Sequence, residues 1–121
     1  MRVLFFLTLL TALILPSLPS GQAPASPPID ISAEDLHKQA AQGNAWAQHN
    51  LGVLYDNGRG VPQDYVKAYM WLDLAAAQLT SNGKKLAVDN RDDAARRMTP
   101  AQIAEAHRLS QQCQAQYFKG C

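Results

Sequence analysis

The stretch Ala45–Gln78 constrains the fold of this chain more than any other. In its first half, apolar residues recur at the three-to-four-residue spacing of a helix face, at Ala47, Leu51 and Leu54, and its second half keeps the same spacing. The segment between them, residues 57–62, contains two glycines and a proline, which end a helix. The sequence therefore predicts two amphipathic helices that fold back on each other as a hairpin.

Two residues in this stretch have a specific predicted use in shaping the hairpin. Gly52 lies inside the first helix, where glycine costs about 1 kcal/mol relative to alanine, so we expect it to let the second helix approach closely. Asp64 precedes the second helix, where its carboxylate can accept hydrogen bonds from free backbone N–H groups.

The same stretch resembles one repeat of the Sel1-like repeat family, a branch of the tetratricopeptide-like helical repeats. The residues that carry the resemblance follow the order and gaps of the repeat, and they are Ala47-Gln48, Leu51-Gly52, Tyr55, Gly58-x-Gly60-Val61-Pro62-x-Asp64-Tyr65, Lys67-Ala68, Trp71 and Ala75-Ala76. The resemblance implies a solenoid module that holds protein partners, has no reaction of its own and often works in a bacterial envelope or secretory compartment.

The resemblance also implies that Tyr55 and Trp71 hold the helices of the repeat together. With these two, the residues expected to be structural are Gly52, Tyr55, Gly58, Gly60, Pro62, Asp64, Ala68 and Trp71.

Residues 1–25 are predicted to be a cleaved signal peptide. A basic Met1-Arg2 precedes the apolar run Val3–Leu15, which has signal-peptide length and is short for a bilayer span. Ala23-Pro24-Ala25 supplies the small residues that a signal peptidase accepts, with cleavage after Ser20 or after Gly21 as alternatives and an uncleaved anchor as another. The predicted location is periplasmic or secreted, with no membrane attachment after cleavage.

Charge excludes the usual electrostatic partners. Arg2 is the one charged side chain in residues 1–25, so ten of the 11 basic side chains remain after cleavage, against ten acidic ones. A nearly neutral chain has no long-range attraction for nucleic acid or an anionic membrane. Neither is expected as a partner.

The remainder is predicted to be a single all-α domain. Residues 26–31 are a proline-containing flexible lead-in, and residues 32–121 form a short α-solenoid of antiparallel helix hairpins, about five helices in all. Ala-Ala-Gln occurs at residues 40–42 and again 36 residues later, close to the roughly 34-residue period of tetratricopeptide repeats. The central repeat is expected at about 41–78, and capping helices at about 82–117.

Several helix ends are also predicted. Ser32, with Asp35 three residues later, has the form of a capping box that starts the first helix. Residues 81–83 are expected to be an interhelical turn, and Thr99-Pro100 is expected to start the last helix.

Cys113 and Cys121 form an even pair in a chain predicted to be exported, so a disulfide is expected. A redox pair or an intermolecular bridge is the alternative, although a redox pair normally has the tighter C-x-x-C spacing.

The sequence predicts no metal site, no cofactor and no catalytic residue. His37, His49 and His107 are far apart and have no cysteine at metal-ligand spacing. Ser81 and Lys84 match S-x-x-K, in which a lysine can activate a serine against β-lactams, but neither S-D-N nor K-T-G follows. A small envelope hydrolase that uses this pair is therefore an alternative, and a non-enzyme is expected.

The predicted function is an exported adaptor or scaffold that binds a protein or peptide partner through the groove of the repeat. Polar or amphipathic residues off the apolar face are the candidates for partner contact, namely Trp46, His49, Asn50, Asp56, Tyr69 and Asp73. A structural subunit of an envelope complex is a further alternative. Because one complete repeat is short, the chain is also a candidate for homo-oligomerisation.

Overall fold

The computed structural model describes residues 31–121, so the predicted signal peptide and most of the lead-in lie outside the described residues. The described part contains five helices and no strand, which confirms the all-α prediction. The helices are α1 (Ala33–Ala41), α2 (Ala45–Asn57), α3 (Tyr65–Gln78), α4 (Ser81–Ala95) and α5 (Pro100–Ala115).

Side-chain caps fix the starts of four helices, and at α2 the cap is Asn44, which accepts a hydrogen bond from the Ala47 N–H. The predicted caps are confirmed at Ser32, which accepts a hydrogen bond from the Asp35 N–H at 3.1 Å, and at Asp64, which accepts one from the Lys67 N–H at 3.0 Å. Thr99 caps α5 in a reciprocal capping box with Gln102. Each cap satisfies a backbone donor that the helix leaves unpaired.

The start of α4 differs from the sequence prediction. Residues 81–83 were predicted as an interhelical turn, but they form the first turn of α4. The chain turns earlier, through Leu79 and Thr80 in extended conformations and Ser81 at a left-handed φ of 51°. Thr80 is a residue type that often caps helices, but its side chain makes no cap hydrogen bond here.

The α2–α3 hairpin is closed by glycines and by main-chain hydrogen bonds. Gly58 ends α2 in a left-handed conformation, with a φ of 64°, and Gly60 has a φ of 74°. The Asp64 N–H then donates to the Tyr55 carbonyl at 3.0 Å, which sets the two helices antiparallel.

Gly52 has the predicted role at the centre of this hairpin. A Cβ atom at this position would lie 2.7 Å from Leu72 Cγ and 3.1 Å from the Ala68 carbonyl oxygen. Both α3 residues are fully buried, so neither has room to move away. The glycine therefore allows the backbones of α2 and α3 to approach closely.

Helix α3 is the central helix of the fold. It packs against α2, α4 and α5, while α1 packs against α2. Trp71 and Leu74 are fully buried in the main apolar cluster, with Leu36, Leu51 and Cys113 from three other helices. A second cluster around Ala75, Ala76 and Ala87 joins α3 to α4.

The C-terminal tail returns to the main cluster. Cys113 and Cys121 are bridged, with Cα atoms 5.8 Å apart, as expected from the sequence. Between them, Phe118 packs against the main cluster, and its ring lies beside Gly43, where a Cβ atom would be 3.3 Å away. The tail thus connects the end of α5 to the α1–α2 turn.

Candidate binding surface

Helices α2 and α4 lie side by side above α3 and form a groove, here called the α2–α4 groove. Trp46 of α2 contacts Gly83 near the start of α4, and Asp56 contacts Arg97 just after the end of α4, so the two helices run in the same direction. One end contains a cavity of about 260 Å³ with Leu72 of α3 as a buried lining residue. The cavity is also lined by Val53, Asp56, Asn57, Asn90, Asp93 and Arg97. By helical spacing the same faces of α2 and α4 continue to Trp46, Asn50 and Leu86, and these nine residues define the groove.

One end of the α2–α4 groove is apolar. Trp46 is 50% exposed, and its indole ring covers Gly83, where an added Cβ would come within 3.0 Å of the ring. Leu86 lies about one helical turn further along α4 and is 44% exposed. Within the described part of the chain these are two of the three large apolar side chains that remain exposed, the third being Tyr117.

A buried polar contact joins α2 to α4 in the middle of the groove. His49 is only 6% exposed, and its Nε2 atom lies 3.0 Å from the amide nitrogen of Asn90 on α4. Its Nδ1 atom lies 3.2 Å from Asn50 Oδ1. These distances fit a neutral ring that accepts a hydrogen bond from Asn90 and donates one to Asn50. The ring therefore joins α2 to α4.

The other end of the groove is charged but balanced. The Arg97 guanidinium lies 3.2 Å from both carboxylate oxygens of Asp56 and 3.1 Å from Asp93, and it covers the Tyr65 ring at 5.7 Å. Attraction to Asp56, and then to Asp93, raises the pKa of Arg97. Arg96 also pairs with Asp93, at 3.3 Å. The two acids thus face two bases, and the surface has no net charge at this end.

Asp73 is the centre of a network on a different side of α3. Its carboxylate accepts hydrogen bonds from Arg91 of α4 at 2.9 Å and from Ser110 of α5 at 2.8 Å, and His107 Nδ1 lies 3.5 Å away. Partial burial would lower the pKa of Arg91, but hydrogen bonds to Asp73 and Asp92 raise it. Asp73 therefore ties both C-terminal helices to α3.

Tyr69 adjoins the same network. Arg91 covers its ring at 5.7 Å, and partial burial is the main cause that raises the pKa of its hydroxyl. Aspartate, histidine and serine meet here, but Ser110 is buried and donates directly to the carboxylate. The arrangement thus lacks the contact between serine and histidine that a hydrolytic triad requires.

The structure separates the six predicted partner-contact residues into two groups. Trp46, Asn50 and Asp56 lie along the α2–α4 groove, with Asn50 exposed and Asp56 paired to Arg97. His49, Tyr69 and Asp73 make contacts between helices. The role of all six residues in partner binding stays a prediction.

Sequence reasoning missed the α4 half of the groove. Leu86, Asn90 and Arg97 are polar or isolated apolar residues in a segment without the repeat signature. Asn90 and Arg97 each contact a residue 41 positions earlier in the chain. No local spacing in the sequence signals a contact over that distance. A solenoid does, however, place the helix that follows a repeat hairpin beside the first helix of that hairpin, which is the position of α4.

Neither the hydrolase alternative nor a metal site gains a supporting contact in residues 31–121. Their His, Cys, Asp and Glu side chains form no cluster of three or more that could hold a metal ion. Ser81 and Lys84 are both exposed at the start of α4, and no hydrogen bond joins their side chains. Within the same residues, no helix combines the length and apolar character needed to cross a membrane.

The antiparallel hairpin, the central α3 and the parallel α2 and α4 define a tetratricopeptide-like helical-repeat protein. Compared with models of known protein families, residues 47–78 match the Sel1 repeat. The match spans the α2–α3 hairpin and supports a relationship of this hairpin to the Sel1-like repeat family. Repeats of that family generally mediate protein–protein interactions. Searches of curated proteins and of solved structures found no match.

Proposed function

We propose that this chain is an exported, non-catalytic interaction module that binds a peptide segment of a partner protein in the α2–α4 groove. The observation that carries the proposal is the pair of exposed apolar side chains, Trp46 and Leu86, on adjacent parallel helices. An exposed tryptophan beside an aliphatic residue offers the large, rigid contact area that dominates binding energy at interfaces.

The dimensions of the groove suit a short extended segment. Trp46 and Asp56 are ten positions apart on α2, so they are separated by about 15 Å along the helix. An extended peptide covers that distance in about four or five residues. An apolar partner side chain would contact Trp46 and Leu86, while the exposed amides of Asn50 and Asn57 would bond to the peptide main chain.

The balanced charge at the far end of the groove bears on specificity. Because Arg96 and Arg97 neutralise Asp56 and Asp93, the groove favours neither a basic nor an acidic segment. Binding should therefore depend on the apolar anchor and change little with salt concentration.

Export is part of the proposal and rests on two features. The N-terminal sequence has the form of a signal peptide, and Cys113 and Cys121 are bridged, which is typical of oxidising compartments. The hydrolase alternative predicts covalent labelling of Ser81 by a β-lactam probe. No specific observation favours that alternative or the structural-subunit alternative over peptide binding.

Peptide display tests the proposal directly. Random 12-residue peptides are selected on the immobilised, oxidised protein, and the enriched peptides are measured by fluorescence polarisation. We expect an apolar or aromatic residue in the enriched peptides, and we expect Trp46→Ala to weaken their binding by about ten-fold or more.

Tyr117→Ala is the matched control, because Tyr117 is an aromatic residue that is 81% exposed outside the groove. Its binding should equal that of the unaltered chain. Equal loss in both variants, or no loss in Trp46→Ala, would remove the groove as the binding site.

A further inference from the structure

A second cavity lies away from the α2–α4 groove, between α3 and α5. Its volume is about 180 Å³, and its lining includes Lys67, Met70, Leu109, Gln112, Cys113 and Cys121. We propose that this cavity is a binding site for a small amphiphilic carboxylate, a short hydrocarbon group that carries one carboxylate. The proposal is independent of peptide binding in the groove.

The inner wall of the cavity is apolar and well supported. Met70 of α3 and Cys113 of α5 are buried in the main cluster, and Leu109 packs against that cluster from the side. The disulfide places Cys121 next to Cys113 in the lining of the cavity. A hydrocarbon group that enters here would contact the Met70 thioether, the disulfide and the Leu109 side chain, and it would leave water.

The rim of the cavity offers hydrogen-bond donors and a positive charge. Of the described residues that line it, only Lys67 is charged. The Gln112 side-chain oxygen accepts a hydrogen bond from Arg108 Nη1 at 3.0 Å, so its NH₂ group is the part left to interact with a ligand. That NH₂ group donates no hydrogen bond to any residue in the described part of the chain.

Lys67 and Gln112 both line the cavity, and the Lys67 ammonium also lies 5.3 Å from the centroid of the Tyr55 ring. A cation and an amide donor on one rim favour a ligand acceptor that carries negative charge. Arg108 does not compete for the ligand, because Glu105 holds its guanidinium at 2.7 Å. The volume of the cavity limits the ligand to less than the size of a typical drug molecule. Both a free short-chain acid and the C-terminal residue of a peptide have this chemistry.

The disulfide is a condition for the site. Cys121 lies in a tail that the bridge holds against α5, with Tyr117 and Phe118 in left-handed conformations at φ of 53° and 64°. Such conformations are unfavourable for residues other than glycine, so the reduced tail has reason to leave this arrangement. Reduction should therefore remove one wall of the cavity and weaken ligand binding.

The test is an NMR titration of the oxidised, ¹⁵N-labelled protein with octanoate, with octylamine as the probe of opposite charge and N-acetyl-leucine as the mimic of a peptide C-terminus. We expect saturable shifts at the amides of Met70, Leu109 and Gln112 with octanoate or N-acetyl-leucine, and the tighter of the two identifies the source of the carboxylate. Octylamine should bind at least about five-fold more weakly.

Two variants test the rim. Lys67→Gln should weaken octanoate by about five-fold, whereas Lys84→Gln, an exposed lysine on α4, should leave it unchanged. Gln112→Glu should weaken octanoate further through repulsion, and it keeps an acceptor for Arg108, so the fold is preserved. Cys121→Ser should also weaken it.

No saturable shift with either carboxylate, equal binding of octylamine, or an unchanged affinity in Lys67→Gln would overturn the proposal. Trp46→Ala should bind octanoate normally. Loss of peptide binding in the groove therefore leaves this result unaffected, and the two proposals fail separately.

Discussion

The α2–α3 hairpin and the C-terminal helices α4 and α5 are attached to the fold by different forces. Helices α2 and α3 are held together by apolar packing. Gly52 has no side chain, so the two backbones can approach closely, and apolar residues such as Leu51 and Trp71 are fully buried. The buried apolar residues of α4 are only Ala87 and Ala94, and α5 contributes Ala106 and Cys113. Polar contacts to Asp73, His49 and Asp56 supply the rest.

The difference shows how a single repeat is completed. Each hairpin of a solenoid buries one face against the next, and a lone repeat leaves that face exposed. Here α4 covers α3 as the next repeat would, but α4 and α5 scarcely touch each other, and α5 packs on α3 instead. The last two helices thus close the molecule around α3 and do not form a second hairpin of the repeat type.

The largest effect is expected from Gly52→Ala. The new Cβ would lie 2.7 Å from Leu72 Cγ and close to the Ala68 carbonyl, so α2 and α3 must separate. Overpacking costs typically 1–3 kcal/mol, and the 2.7 Å contact with a fully buried side chain puts this site at the upper end. After a helix-propensity gain of about 1 kcal/mol, we expect a net loss of about 2 kcal/mol in the free energy of unfolding. Urea denaturation followed by circular dichroism measures it.

Gly83→Ala on α4 is the matched control, because the neighbour there is the exposed ring of Trp46, which can shift. That variant should be neutral or more stable. Equal destabilisation of the two variants would contradict the distinction between the tightly packed hairpin and the looser α4.

A smaller effect is expected from Asp73→Ala. Removal of the carboxylate leaves the buried Ser110 without its partner and takes away one of the two carboxylates that pair with Arg91, which should cost about 1–2 kcal/mol. Because Asp73 joins α4 and α5 to α3, hydrogen exchange should quicken in α4 and α5 more than in α2.

Asp93→Ala serves as the control for Asp73→Ala, since its carboxylate is 46% exposed and pairs only at the surface. It should leave exchange in α5 unchanged. Uniform acceleration over all five helices in Asp73→Ala would mean that α4 and α5 do not open as a separate unit.

The smallest effect is expected from Arg97→Ala. Its side chain is partly exposed, as are its ion pairs with Asp56 and Asp93, so the loss in the free energy of unfolding should be the smallest of the three. The difference from the unaltered chain should shrink between low and high salt, because salt screens exposed charges. A loss that persists at high salt would point to packing of Arg97 on Tyr65 as its main contribution.

Sequence reasoning was most successful where the chain signals its structure locally. The caps at Ser32, Asp64 and Thr99, the close approach at Gly52 and the bridge between Cys113 and Cys121 all follow from residue types at short spacing. It was wrong at residues 81–83, where the chain has already turned at Leu79 and Thr80 and α4 starts directly after Thr80, a residue type that can cap a helix but makes no cap hydrogen bond here.

Of the candidate site, the sequence predicted the residues on α2 but not those on α4. Trp46, Asn50 and Asp56 lie on α2, whose helical face is readable from its spacing. The sequence did not show whether His49 faces the groove or is buried, because it contacts Asn90, which is 41 positions later in the chain.

The sequence by itself determined the helices, the hairpin turn, the close contact between α2 and α3 and the disulfide. Each depends on residues near one another in the chain or, for the helix contact, on Gly52. The tertiary structure decided which faces remain exposed. It placed α4 beside α2 to form a groove, and it placed α5 and the tail on α3 to form a separate cavity. Burial is a property of all the elements packed against a residue, so no single stretch of sequence contains it.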